Sequence, residues 1–231
     1  MIISQHNEQF KMWMKLKQKK YRDTSGLFLV YGPHLVEEAK RANCVKEIIT
    51  TDESIEGIII SKALMEKLKT TETAYNICAV CYKKTLKIKS DKVLILEDVQ
   101  DPDNVGALLR SALAFGFKHI ILSENSADLY NDKTIRASKG AIFHLMVERM
   151  NVYDATLKLK QEGYSIYATD MEGKTYYSKK KKSVIVLGNE GKGITDRMLA
   201  LADERIKINT QTVESLNVSV AGAIFMYEWS R

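Results

Sequence analysis

Three short segments beyond residue 100 carry the residue types that chemistry needs. They are Asp101-Pro102-Asp103-Asn104-Val105-Gly106 running on to Arg110, Gly188-Asn189-Glu190-Gly191-Lys192-Gly193, and Glu214-Ser215-Leu216-Asn217-Val218-Ser219. Asn104, Asn217 and Ser215 can donate and accept hydrogen bonds, and Glu190 places a carboxylate in a turn whose glycines permit positive φ and close ligand approach. Arg110 supplies a planar fork of donors suited to a phosphate or carboxylate. The turn at 188–193 is not a dinucleotide fingerprint, because its glycines are spaced Gly-x-x-Gly-x-Gly. Nor is it a P-loop, since Lys192 is followed by Gly193 and not by Ser or Thr. Read alone, the first segment is also what a capped core helix with a surface arginine looks like, and Ser215 what a plain N-cap looks like. Neither bland reading explains Asn217 on an otherwise apolar helix.

The elements that must position these residues alternate. Beyond about residue 91 the pattern runs strand 93–96, helix 104–115, strand 119–122, short helix 133–139, strand 145–147, helix 155–161 and strands 165–168 and 184–187. A helix over 196–201, a short strand over 206–208 and a last helix over 216–229 complete it. Such alternation predicts a mostly parallel sheet covered on both faces, with the three segments at strand-to-helix turns, where α/β folds place ligands. Pro102 predicts a helix start capped by Asp103 or Asn104. Gly106 so early in that helix implies that something packs tightly on its backbone. Residues 1–83 form a separate α/β module, with a helix carrying Phe10, Trp13 and Met14, strands at 27–30, 48–49, 58–60 and 77–82, and helices opened by Pro33 and around Leu64 to Leu68. The charged, weakly patterned stretch 84–91 reads as a linker, leaving 92–231 as the second domain.

Composition narrows the function classes. The chain has 231 residues, 45% hydrophobic and 28% charged, which is ordinary for a soluble globular protein. It has no apolar run long enough to span a bilayer and no evident signal peptide, so cytoplasm is the expected compartment and no membrane partner is expected. Cys78 and Cys81 are spaced Cys-x-x-Cys but lie on a strand, where they point to opposite faces, and no second ligand pair follows. His6, His34, His119 and His144 show no ligand pairing either, so no metal is expected. A net charge of +6, with lysines crowding the N-terminus and an unbroken run from Lys179 to Lys182, favours a polyanionic partner.

Taken together and in this order, the three segments resemble the motifs of the SPOUT superfamily, in its SpoU (TrmH-like) class of RNA ribose methyltransferases. The resemblance covers roughly residues 91–231. It implies a trefoil-knotted α/β domain with a parallel sheet that binds S-adenosyl-L-methionine and pairs as a homodimer. Carried over residue by residue, it implies catalytic roles for Asn104, Arg110, Glu190, Ser215 and Asn217, and cofactor contacts from Leu187, Gly188, Gly193, Ile208 and Leu216. The run Ile206-Lys207-Ile208 lacks the family's usual proline, so the resemblance does not choose between the two isoleucines for the adenine contact. The stretch from Phe28 to Ala39 is similar to the small α/β RNA-binding domain of ribosomal-RNA members. The implied reaction is 2′-hydroxyl methylation of RNA, with large-subunit ribosomal RNA preferred. Transfer RNA, or a non-catalytic role in ribosome assembly, are the alternatives. The family proposal makes the matching arginine a base, yet an arginine is always protonated, so a phosphate clamp is the expected first role of Arg110.

Overall fold

The computed structural model describes residues 1–70, 75–175 and 178–231. Its first part runs α1 (Glu8–Lys15), α2 (Lys19–Ser25), β1 (Leu27–Tyr31), α3 (Pro33–Arg41), β2 (Val45–Thr50), β3 (Ile58–Ile59), α4 (Lys62–Leu68) and β4 (Ile77–Tyr82). The strands pair in the order β1-β4-β2-β3, with β4 antiparallel to both neighbours and β3 parallel to β2. β4 is central and buried on both faces, which its run Ile-Cys-Ala-Val-Cys requires. Cys78 faces a core with Phe10, Trp13 and Leu64, and Cys81 the opposite core with Phe28, Val30 and Val36, so the pair cannot act as one ligand set. Burial pushes the Cys78 thiol up to about 12.

α2 was not legible in the sequence pattern. Its residues Lys-Lys-Tyr-Arg-Asp-Thr-Ser have no apolar period, and the helix exists because Gly26 closes it in the left-handed region and Arg22 anchors it. Arg22 is buried, donates to the carbonyls of Leu16 and Lys17, and pairs with Asp128 at 2.6 Å.

The second part runs β5 (Lys92–Leu96), α5 (Pro102–Ala114), β6 (His119–Leu122), α6 (Asp132–Ser138), a single 3-10 turn (Ala141–Phe143), β7 (Met146–Arg149), α7 (Val152–Gln161), β8 (Ser165–Lys174), β9 (Ser183–Leu187), α8 (Asp196–Leu201), β10 (Glu204–Ile206) and α9 (Val218–Ser230). All six strands are parallel, in the order β10-β8-β9-β5-β6-β7. The chain winds outward from β5 through β6 and β7, then returns to the other side of β5. The carboxyl ends of β5 and β9 therefore flank the point where winding reverses, the place where such sheets bind ligands. Gly106 is where α6 crosses α5: a β-carbon there would lie 2.5 Å from the Ala137 methyl and the Thr134 carbonyl.

Two helix starts differ from expectation. Asp101, and not Asp103 or Asn104, caps α5, its side chain accepting from the Asp103 amide, because Pro102 occupies the first helical position and the cap must precede it. The last helix begins at Val218 and not at Leu216, and its cap is Asn217 in place of Ser215.

The two sheets share a core. Phe28, Leu35, Val36 and Ala39 pack with Ile135 and Ile142, and Phe28 meets the tilted ring of Tyr130 at 4.6 Å and stacks on Phe143 at 6.3 Å between ring centroids. Polar contacts line the same seam: Arg22 with Asp128, His144 with Glu38 at 2.9 Å, and His34 with the Lys139 carbonyl at 3.2 Å. The stretch after β4 has neither helix nor strand, and Lys84 in it donates to the carbonyls of Ala42 and Asn43.

Candidate active site

The turn that follows β9 is set by its own backbone. Asn189 and Gly193 exchange two main-chain hydrogen bonds of 3.0 and 2.9 Å, and the Asn189 side chain accepts from the amides of Gly191 and Lys192. A β-carbon at Gly188 would overlap the Gly193 carbonyl and the Ile194 amide, so residue 188 must be glycine for the turn to fold back on itself. Gly193 sits at φ +69 with open space where a side chain would be. The Asn189 amide group also donates to the Asp98 carbonyl at 2.9 Å, tying the turn to the end of β5.

Glu190, at the tip, reaches across to the start of α5. Its carboxylate accepts from the amides of Gln100 and Asp101 at 3.2 and 3.1 Å and from the Asn104 side chain at 3.1 Å. Burial works to raise its pKa, but hydrogen bonds from its own amide, from Asn104 and from the amides of Asp101 and Gln100 outweigh that and hold it below the ordinary carboxylate value. A carboxylate so engaged is ionised at neutral pH and ties the β9 turn to the start of α5.

Asn104 is buried and continues the chain of contacts. Its carbonyl oxygen accepts from the Asn217 side chain at 3.0 Å, while Asn217 uses its own oxygen to cap α9, accepting from the amides of Ser219 and Val220 and from the Ser219 hydroxyl. With donors and acceptors at both ends, the Asn104 amide has one orientation that satisfies both. Glu190, Asn104 and Asn217, far apart in sequence, thus form one polar junction that locks the β9 turn, the α5 start and the α9 start together.

Two expected site residues stand outside this junction. Arg110 is exposed on α5, with no hydrogen bond or ion pair among the described residues. Ser215 is exposed before α9 and makes no hydrogen bond among the described residues either. Of the cofactor candidates, Leu187, Gly188 and Gly193 belong to the turn and the strand that leads into it, and Ile208 packs on the same core as Leu187. Leu187 is buried, its carbonyl accepting from the Glu97 amide at 2.8 Å. Ile206 is wholly buried at the end of β10, whereas Ile208, past the strand, packs on the core with part of its surface free and is the isoleucine with area to offer. Main-chain groups of Gly188, Ile208 and Leu216 make no hydrogen bonds among the described residues, which leaves their donors and acceptors available. That set fits a nucleoside whose base needs backbone partners and apolar contact. Sequence reasoning missed Glu97 and Asp98. Their signal, acids directly after a buried strand at the reversal point, was present but not separable from an ordinary strand end. No group of three or more His, Cys, Asp or Glu able to hold a metal occurs among the described residues.

Comparison with known proteins identifies the family. The SpoU rRNA Methylase family description matches residues 91–227, and the MRM3-like substrate binding domain matches residues 7–81. The 23S rRNA (guanosine(2553)-2′-O)-methyltransferase RlmP of Bacillus subtilis (strain 168) is 36% identical over 98% of this chain and 97% of its own. A TrmH-family protein of known structure from Porphyromonas gingivalis superposes with TM-score 0.87 at 28% identity, covering 99% of this chain and 98% of its own. The SpoU methyltransferase AviRb from Streptomyces viridochromogenes, solved in complex with AdoMet, shares the fold at TM-score 0.85 and 23% identity, covering 97% of both chains. The chain belongs to the SpoU rRNA methylase family.

Proposed function

We infer that this protein methylates a ribose 2′-hydroxyl of large-subunit ribosomal RNA, using S-adenosyl-L-methionine. The observation that carries the reading is the Glu190–Asn104–Asn217 junction, which gathers the three motif segments beside the turn at the carboxyl ends of β5 and β9. Bound against that turn, S-adenosyl-L-methionine would supply a sulfonium methyl group to an oxygen nucleophile. The protein's own task is to hold donor and acceptor in line, because alignment is the largest contribution a site without a strong base can make.

In this reading the backbone of Gly188, Ile208 and Leu216, with Leu187 and Gly193, holds the cofactor. Arg110, free and exposed, grips the phosphate beside the target ribose as a bidentate fork. Asn104 and Asn217 fix the two helix starts, and Ser215 meets the ribose or the partner copy. The knot expected from the family would wrap the segment from β9 to α9 around this cofactor.

A homodimer is part of the proposal. α9 is apolar nearly all round, and its Val220, Ile224 and Tyr227 are 48%, 37% and 47% exposed at i, i+4, i+7 spacing, a stripe that calls for a partner helix. The N-terminal lobe would supply RNA affinity through phosphate contacts, which weaken steeply with salt. A ribosomal substrate would place the protein where ribosomes are assembled, in the cytoplasm. The test is incubation with labelled S-adenosyl-L-methionine and unmodified ribosomal RNA, with 2′-O-methyl positions mapped by mass spectrometry. The residue corresponding to the guanosine modified by the Bacillus relative is the first to inspect. Transfer to transfer RNA alone would replace the substrate but keep the enzyme. Transfer to neither, with no cofactor binding, would leave a non-catalytic RNA-binding role.

A further inference from the structure

We propose that Glu97 is a positioning residue for the cofactor turn, acting through Thr195. This rests on the methyltransferase reading above and names a residue that the three motifs do not contain. Glu97 follows β5 directly and is 2% exposed, an unusual place for a carboxylate without a role. Its two oxygens are both used on one residue: Oε2 accepts from the Thr195 amide at 3.0 Å and Oε1 from the Thr195 hydroxyl at 2.8 Å. The same hydroxyl accepts from the Met198 amide and so caps α8, and it lies 3.2 Å from the Tyr153 hydroxyl. Glu97 also donates its amide to the Leu187 carbonyl at 2.8 Å.

The consequence is a grip on both ends of one turn. The Asp98 carbonyl holds the incoming end through Asn189, and Glu97 holds the outgoing end at Thr195, immediately after the Gly193–Ile194 backbone that lies on Gly188. Asp98 itself sits at φ +58, kept there by Ser123, whose hydroxyl accepts the Asp98 amide and donates to its carboxylate. Loss of the Glu97 contacts frees residues 191–194 to move where the cofactor must be met, without touching Arg110 or the lobe expected to hold RNA.

The experiment measures S-adenosylmethionine affinity by calorimetry and amide hydrogen exchange at 191–194 in the full-length protein. Glu97→Ala and Thr195→Val should weaken the cofactor by about tenfold to a hundredfold, the range expected for lost hydrogen bonds to a charged group, and speed exchange in the turn. Glu97→Gln should restore both, since its oxygen still accepts the Thr195 amide and its amide group can donate to the Thr195 hydroxyl. RNA affinity should stay within about twofold of the parent, each tenfold being 1.4 kcal/mol. If Glu97→Ala does not fold, Thr195→Val, a change at an exposed residue, carries the test. Unchanged affinity and unchanged exchange in a folded Thr195→Val protein would overturn the proposal. If the parent itself binds no S-adenosylmethionine, the methyltransferase reading fails, and turn exchange still tests the grip.

Discussion

Replacing Asn104 by Asp tests the polar junction directly. The substitution turns the donor that faces Glu190 at 3.1 Å into a second carboxylate oxygen, leaving the Asn217 donor still satisfied. One hydrogen bond to a charged acceptor is lost, worth about 1.5–3 kcal/mol. The two carboxylates would also repel by about 5 kcal/mol at that separation with an effective dielectric near 20. Glu190 is at the surface, so screening cuts this to roughly 1–2 kcal/mol. A loss of about 2.5–5 kcal/mol at neutral pH follows, and its pH dependence has a sign. In the parent, the Glu190 pKa is lowered by folding, so its contribution is present above the ordinary carboxylate value and is lost as pH falls through the lowered one. In Asn104→Asp the carboxylate pair has one raised pKa, so the penalty grows as pH rises through it and is relieved in acid, where one shared proton rebuilds the hydrogen bond. Urea midpoints from pH 4 to 8 (about the range in which carboxylates in such pairs titrate) give the comparison. A variant whose stability follows the parent's at every pH would refute the junction.

Other outcomes follow from contacts already described. Arg110→Lys should lower kcat roughly tenfold to a hundredfold at unchanged cofactor affinity, because a point charge replaces a fork; near-parent turnover would remove the phosphate-clamp role. Gly106→Ala should destabilise by about 1–3 kcal/mol in urea titration, since the new methyl meets the Thr134 carbonyl and Ala137, neither of which can swing aside. Arg22→Met should cost about 3–5 kcal/mol by stranding half-buried Asp128 and the carbonyls of Leu16 and Lys17, and adding Asp128→Leu should return the Asp128 share; equal losses for single and double variants would contradict the ion-pair account. Tyr227→Asp should convert the expected dimer to monomer on gel filtration.

The central strands of the parallel sheet were legible because they are continuous runs of Val, Ile and Leu, as in Val184 to Leu187, and buried parallel strands need nothing else; β10, expected over 206–208, lies at Glu204–Ile206, where its two charged residues hide it. α2 was not, because it is held by one long-range ion pair and a left-handed glycine, neither of which leaves a periodic trace. The cap of α9 was misplaced for a related reason. Ser215 and Asn217 are both good N-caps in isolation, and only the contact to Asn104 across the fold decides in favour of Asn217. In the site, the glycines and Glu190 announced a turn, but what the carboxylate touches depends on how β5 and β9 come to lie side by side. Asp101 shows the local case: Pro102 fixes the helix start, and the cap follows from that.

The core shared by the two lobes turns the N-terminal lobe into a fixed gauge. Phe28 wedged against Tyr130 and Phe143, with Arg22 bolted to Asp128, leaves no hinge at the stretch after β4 about which that lobe could swing. An RNA gripped there would present its ribose at one set distance, so the RNA must bend to the protein. Retargeting by exchanging lobes between relatives would then fail unless α6 and the 3-10 turn behind it were exchanged as well. Lengthening residues 84–91 would change nothing.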